Sequence, residues 1–179
     1  LGAAIESMSA GTVADGPVVI TIDDGWASTY SSMIPELRAA GFPATIYVTT
    51  WYVEAGIPIL SKLLDYIVTN TQDDRLSLSG LKLGASTDFL LGPPAERAER
   101  AASLYGLIRS SFPAIDRMGV VSEIAHRLGF DMGDILADRR LNLMTPQELR
   151  HAHEIGFDIQ LHTHRHTELE ANVGALERE

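Results

Sequence analysis

The sequence contains no cysteine, which excludes disulfides and thiolate zinc sites and leaves the compartment open. It has no apolar run of membrane-spanning length. Cationic side chains are scarce, with 14 Lys and Arg against 24 Asp and Glu and a formal net charge of −10. A non-specific nucleic-acid binder needs a cationic face, and so does a protein lying on an anionic membrane, so both roles are disfavoured. No internal repeat or low-complexity linker interrupts the chain. What remains is ordinary globular composition, 45% apolar and 21% charged over 179 residues, enough for one domain with a sizeable core. The first residue is Leu1 rather than Met. We therefore expect the native start upstream, where a signal or anchor segment has room.

Along the chain, Asp15-Gly16 marks a turn and Pro17 precedes a β-rich run at 18–22. That run is apolar almost throughout, as expected of a strand covered on both faces. After Gly25 the pattern predicts a helix into Ala39, with Pro35 near its start and Gly41 as its stop. Residues 44–48 form a second strand. Strand–helix–strand order predicts a parallel α/β sheet or barrel.

Residues from about 50 to 144 are expected to be a long, mostly helical insertion packed on the same domain. Ile57, Leu60, Leu63, Leu64 and Ile67 share one helical face. Leu76-Ser77-Leu78 and Leu81-Lys82-Leu83, around Ser79-Gly80, suggest a small hairpin. Pro93-Pro94 precedes a helical stretch to about Ser110, and Pro113 opens another that ends at Gly129. Thr145-Pro146-Gln147-Glu148 then carries an N-cap threonine, proline at the first helical position and glutamate three residues after the cap. Gly156 fits the C-cap, and 157–161 alternates as a strand that delivers His162 at its carboxyl end.

Two short motifs carry chemistry. Thr21-Ile22-Asp23-Asp24-Gly25 ends one strand with adjacent carboxylates, and His162-Thr163-His164-Arg165-His166 ends another with imidazoles four residues apart. In α/β sheets and barrels that carboxyl end is where sites are built. Two neutral imidazoles and one carboxylate are a common ligand set for a catalytic divalent metal. The spare carboxylate is then free to act as a base on water. Each motif alone has a plainer reading. Asp24-Gly25 also fits a hairpin turn, and His162 and His166 also fit surface positions. His126, His151 and His153 are read as surface residues, Arg165 as a solvated charge, and Trp26 as packing rather than a sugar platform. No feature selects His164, which is expected to face solvent or to stand behind the ligands.

Together the motifs resemble the polysaccharide deacetylases, the NodB-homology domain of carbohydrate esterase family 4. Thr21-Ile22-Asp23-Asp24-Gly25 is similar to the family's first motif, with Ile22 in place of the usual phenylalanine. His162-Thr163-x-x-His166 is similar to the second, His-Ser/Thr-x-x-His. Pro35-Glu36-Leu37 through Gly41-Phe42-Pro43-Ala44-Thr45 and Met144-Thr145-Pro146-Gln147-Glu148-Leu149 agree with the family's surroundings. The resemblance covers roughly residues 17–50 and 142–168. It implies a distorted (β/α) barrel in which Asp24, His162 and His166 bind a divalent metal, most often zinc. Asp23 is then the catalytic base for removing N-acetyl or O-acetyl groups from a polysaccharide or amino-sugar polymer. The family's base-positioning arginine and its acid histidine lie downstream of the second motif, where only residues 167–179 follow here. We therefore expect residues 1–179 to be one partial domain, the N-terminal half of such a barrel. It should be inactive alone and associate through exposed edges. The alternatives are a hydrolase of another C–N amide bond on the same barrel, or a non-catalytic carbohydrate-binding domain.

Overall fold

A computed structural model describes residues 1–13, 18–84 and 86–166. The turn expected at Asp15-Gly16-Pro17 and the helical start expected after His166 lie outside them. In chain order the elements are α1 (Gly2–Ser9), β1 (Ile20–Ile22), α2 (Ile34–Ala39), β2 (Ala44–Val48), α3 (Thr50–Ala55), α4 (Leu60–Asn70), β3 (Arg75–Ser77), β4 (Asp88–Leu90), α5 (Arg97–Ser111), α6 (Arg117–Arg127), α7 (Met132–Ala137), α8 (Pro146–Glu154) and β5 (Asp158–Leu161). They fall into two compact units, Leu1–Ile57 with Asn142–Glu179, and Pro58–Leu141. The sequence pattern set the insertion boundary near 50 and 144. The second unit is narrower, because α3 groups with the first.

The first unit is built on a parallel sheet of order β1-β2-β5. Ile22 stands opposite Ile46, and Val48 opposite Leu161. β2 is central and buried, as its β-branched run requires. Ile22, Ala44, Ile46 and Val48 of the sheet pack with Ile34, Met144, Ala152 and Phe157 in one core. β1 was expected to be covered on both faces, yet Thr21 is exposed and Val18 is 86% exposed. β1 and β5 are the outer strands among the described residues, and an outer strand has a neighbour on one side only. Leu161, at the end of β5, is 73% exposed.

Local chemistry explains where the helices begin and end. The expected helix from Gly25 to Ala39 forms, but Thr29–Met33 widens into a π-type turn before α2. Pro35 has no N–H for the carbonyl of Ser31 and its ring crowds that oxygen, so the turn opens there. α8 has the predicted capping box. Thr145 Oγ1 accepts from Glu148 N at 3.2 Å, and Glu148 Oε2 accepts from Thr145 N at 2.7 Å. At its other end Gly156 takes φ +102°, which favours glycine. Gly156 N donates to His153 O and Phe157 N to Ala152 O, both at 3.0 Å, which closes the helix and buries Phe157. This stop aims β5 back along β2.

The second unit is mostly helical, as expected. Leu60, Leu63, Leu64, Ile67 and Val68 form the buried face of α4, which packs on α5 and α6. Arg97 is buried at the start of α5. Its guanidinium donates to the carbonyls of Val68, Thr71 and Asp73 and so caps the end of α4. The hairpin differs from the expected one. β3 pairs antiparallel with β4, not with 81–83. Leu78, Leu81 and Leu83 are buried instead, because three apolar side chains gain more from the core than from a strand ladder on the surface. Among the described residues, no helix is long and apolar enough to cross a membrane.

Candidate metal centre

The carboxyl ends of β1, β2 and β5 lie side by side, and the chain after each contributes to one site. After β1 the chain turns at once. Asp23 O accepts from Gly25 N at 2.8 Å, and Asp24 and Gly25 take φ +67° and +71°. Aspartate tolerates this left-handed region better than most residues. The turn is then pinned to the segment leading into α8. Met144 N donates to Gly25 O at 2.7 Å, Ala27 N to Asn142 O at 2.9 Å, and Trp26 pairs with Leu143. Asp24 is thereby buried, its side chain only 12% exposed.

Gly25 is required twice over. A Cβ there would lie 2.9 Å from Val48 Cγ1, on a backbone with positive φ. Gly25→Ala should destabilise the first unit by about 2–3 kcal/mol from left-handed strain and overpacking together. Adding Val48→Ala reopens the space but leaves the backbone strained, so urea denaturation of the double variant should show no full recovery. A Gly25→Ala chain as stable as the parent would refute this account of the turn.

After β5, His162 N continues the ladder by donating to Val48 O at 2.8 Å. The chain then folds over so that His166 returns beside His162, their ring centroids 5.6 Å apart. His166 N donates to Thr163 Oγ1 at 3.0 Å within this loop. His162 Nε2 lies 3.6 Å and His166 Nε2 3.0 Å from Asp24 Oδ1. Asp24, His162 and His166 each offer one ligand atom, all within 4.8 Å of one another.

These three residues fit a divalent metal. Ligand atoms about 2.0–2.1 Å from a tetrahedral zinc stand roughly 3.3–3.4 Å apart, and the two separations from Asp24 Oδ1 bracket that distance. The half-exposed imidazoles leave an open side for water and substrate. Asp23 is exposed and stands outside the group.

Several side chains make contacts that the sequence does not announce. His164 Nδ1 shares a 2.8 Å hydrogen bond with Thr50 Oγ1, so of its two expected placements it takes the one behind the candidate ligands. The Arg165 guanidinium stacks 5.3 Å from the Trp51 ring centroid and is not merely solvated. His151 is exposed, as read, and shares a 2.7 Å hydrogen bond with the Tyr30 hydroxyl. Sequence reasoning missed Thr49, Thr50 and Trp51 altogether, because residue 50 was taken as the start of the insertion. Their position directly after a strand, at the same sheet end as both motifs, was the available signal.

The family model of polysaccharide deacetylases matches residues 10–103, more than half of the chain. The match takes in β1, Asp23, Asp24, Gly25 and β2, and runs on into the stretch that the motif resemblance left unmatched. It stops short of His162 and His166, whose nearness to Asp24 is an independent result of the fold. No curated protein and no solved structure matches the chain. With its first motif inside the match and the histidine pair folded beside it, the chain belongs to the polysaccharide deacetylase family, the deacetylase-type hydrolases of NodB homology.

Proposed function

We propose that Asp24, His162 and His166 hold a divalent cation, zinc before others, and that Asp23 is the general base of a deacetylase. Its substrate is an N-acetylated or O-acetylated polysaccharide or amino-sugar polymer. The observation that carries this reading is the meeting of one carboxylate and two imidazoles from two outer strand ends, in a chain of this family. The mixed nitrogen and oxygen donor set suits zinc. When bound, the cation supplies Lewis acidity, polarising the acyl carbonyl and making water acidic enough to attack at neutral pH.

The chain's own residues supply the rest. Asp24 is the anionic ligand, fixed by a turn that burial and the two hydrogen bonds of the Trp26–Leu143 bridge hold. Asp23 sits one residue earlier, exposed at the same strand end, where it can take the proton of the attacking water. The order β1-β2-β5 supports a distorted (β/α) barrel. It is the order that the first parallel strands of such a barrel take.

The test has two parts. The chain is loaded with zinc or cobalt, and bound metal is counted after desalting. Acetate release from acetylated chito-oligosaccharides and acetylated exopolysaccharide is then followed with the protein in its natural length. We expect one equivalent of metal, and acetate release that stops on chelation and returns with zinc. No stoichiometric metal after loading sinks the site assignment. Release from simple amides but from neither sugar polymer would move the reading to another C–N hydrolase.

A further inference from the structure

We propose that Thr50 and Trp51 are positioning residues of the metal centre. They hold the loop 162–166 in the strained shape that brings His166 back beside His162 and Asp24. The proposal rests on the metal-centre reading above.

The first observation is strain. Thr163 has φ +60° and His166 φ +53°, both in the left-handed region. For a β-branched residue such as Thr163 this conformation is a genuine outlier. Such conformations persist only where the surroundings over-determine them. Asp24 shares the conformation, so two of the three candidate ligands sit on left-handed backbone.

The second observation is what over-determines the loop. Its contacts converge on three consecutive residues at the end of β2. Thr49 Oγ1 donates to His162 O at 3.3 Å. Trp51 N donates to His164 O at 2.9 Å, which also satisfies an amide of the first turn of α3 that no helical carbonyl can reach. Thr50 Oγ1 and His164 Nδ1 are 2.8 Å apart, and Arg165 stacks on Trp51. His164, the middle residue of the loop, is thus gripped by both its carbonyl and its ring. This accounts for a third histidine between the two candidate ligands: its ring is tied to α3 and fixes the loop's midpoint.

Metal ligands depend on the groups that orient them, and losing one such partner typically costs roughly 10–100-fold in metal affinity. Thr50→Val keeps the shape of the side chain and removes the hydroxyl. Zinc affinity is measured by chelator competition, coordination by the visible spectrum of the cobalt form, and folding by thermal melting. We expect Thr50→Val to weaken zinc by about 10–100-fold and to alter the cobalt spectrum, while melting of the metal-free chain changes little. Thr50→Ser should restore both. His164→Leu cuts the same link from the other side and keeps the test usable if Thr50→Val folds poorly. The double variant should fall no further than either single one, because both remove one interaction.

Zinc affinity in Thr50→Val and His164→Leu within twofold of the parent overturns the proposal and leaves the metal centre standing. Loss that Thr50→Ser does not rescue overturns it too. A parent chain that binds no metal overturns the site assignment, and this proposal with it.

Discussion

Asp24→Asn should abolish stoichiometric metal binding and leave the metal-free fold intact. The substitution is nearly isosteric. Asparagine shares with aspartate an unusual tolerance for positive φ, so the +67° backbone at this position survives the change. What goes is the negative charge and the anionic oxygen that faces both imidazoles. Removing a ligand should cost more than the roughly 10–100-fold typical of an outer partner. Metal-free stability should move by no more than about 1 kcal/mol, since a buried polar group of the same size replaces a buried carboxylate. The contrast appears on titration. In the parent chain, zinc at a thousand times its dissociation constant should stabilise by about 4 kcal/mol, and in Asp24→Asn that gain should vanish. His162→Ala and His166→Ala should behave alike. Undiminished zinc affinity in Asp24→Asn would show that the cluster is an ordinary carboxylate–imidazole contact.

Much of the site was legible because its residues sit where patterns end. β2 is found at 44–48 as read, because a run rich in β-branched and aromatic residues fits a buried central strand. α8 begins at the predicted cap and stops at Gly156, since capping chemistry is local and is written in four residues. With β1, β2 and β5 correctly oriented, Asp23-Asp24 and His162 had to emerge on one face. That His166 also returns to Asp24 could only be suspected, because it depends on two left-handed residues, one of them the β-branched Thr163, for which that conformation is an outlier.

The misses share a cause, which is tertiary context overriding local pattern. Leu81 and Leu83 alternate like a strand, yet burial in the second unit outweighs pairing, and residues 88–90 take the partner's place. Thr50 and Trp51 carry no motif. Their role is visible only once the loop from a distant part of the sequence lies against them. Arg97 opens an Ala- and Glu-rich helix, and nothing in that pattern marks it for burial. Three carbonyls, of Val68 and Thr71 at the end of α4 and of Asp73 just beyond it, draw it inward. Contacts of this kind join residues far apart in sequence, and hydrophobic periodicity holds no record of them.

Asp23→Asn is expected to separate catalysis from metal binding. Asp23 adjoins Asp24 but lies outside the group of three ligand atoms, and its exposure means that the fold does not depend on its carboxylate. The variant should therefore load metal to the same stoichiometry, with the same cobalt spectrum and the same melting temperature. Its turnover in the natural-length protein should fall by roughly 10²–10⁴, the range a positioned general base contributes. That is about 3–5 kcal/mol in the barrier. Amide nitrogen is a weak base, so asparagine cannot take the proton of the attacking water. The loss should fall on kcat rather than on KM, because the proton moves only as the carbonyl is attacked and substrate binding does not require it. Two outcomes would count against this role. Loss of metal with an unchanged residual rate makes Asp23 a ligand. Full metal and full turnover assigns the proton to another group, and His164, between the two candidate ligands in sequence, is then the first side chain to substitute.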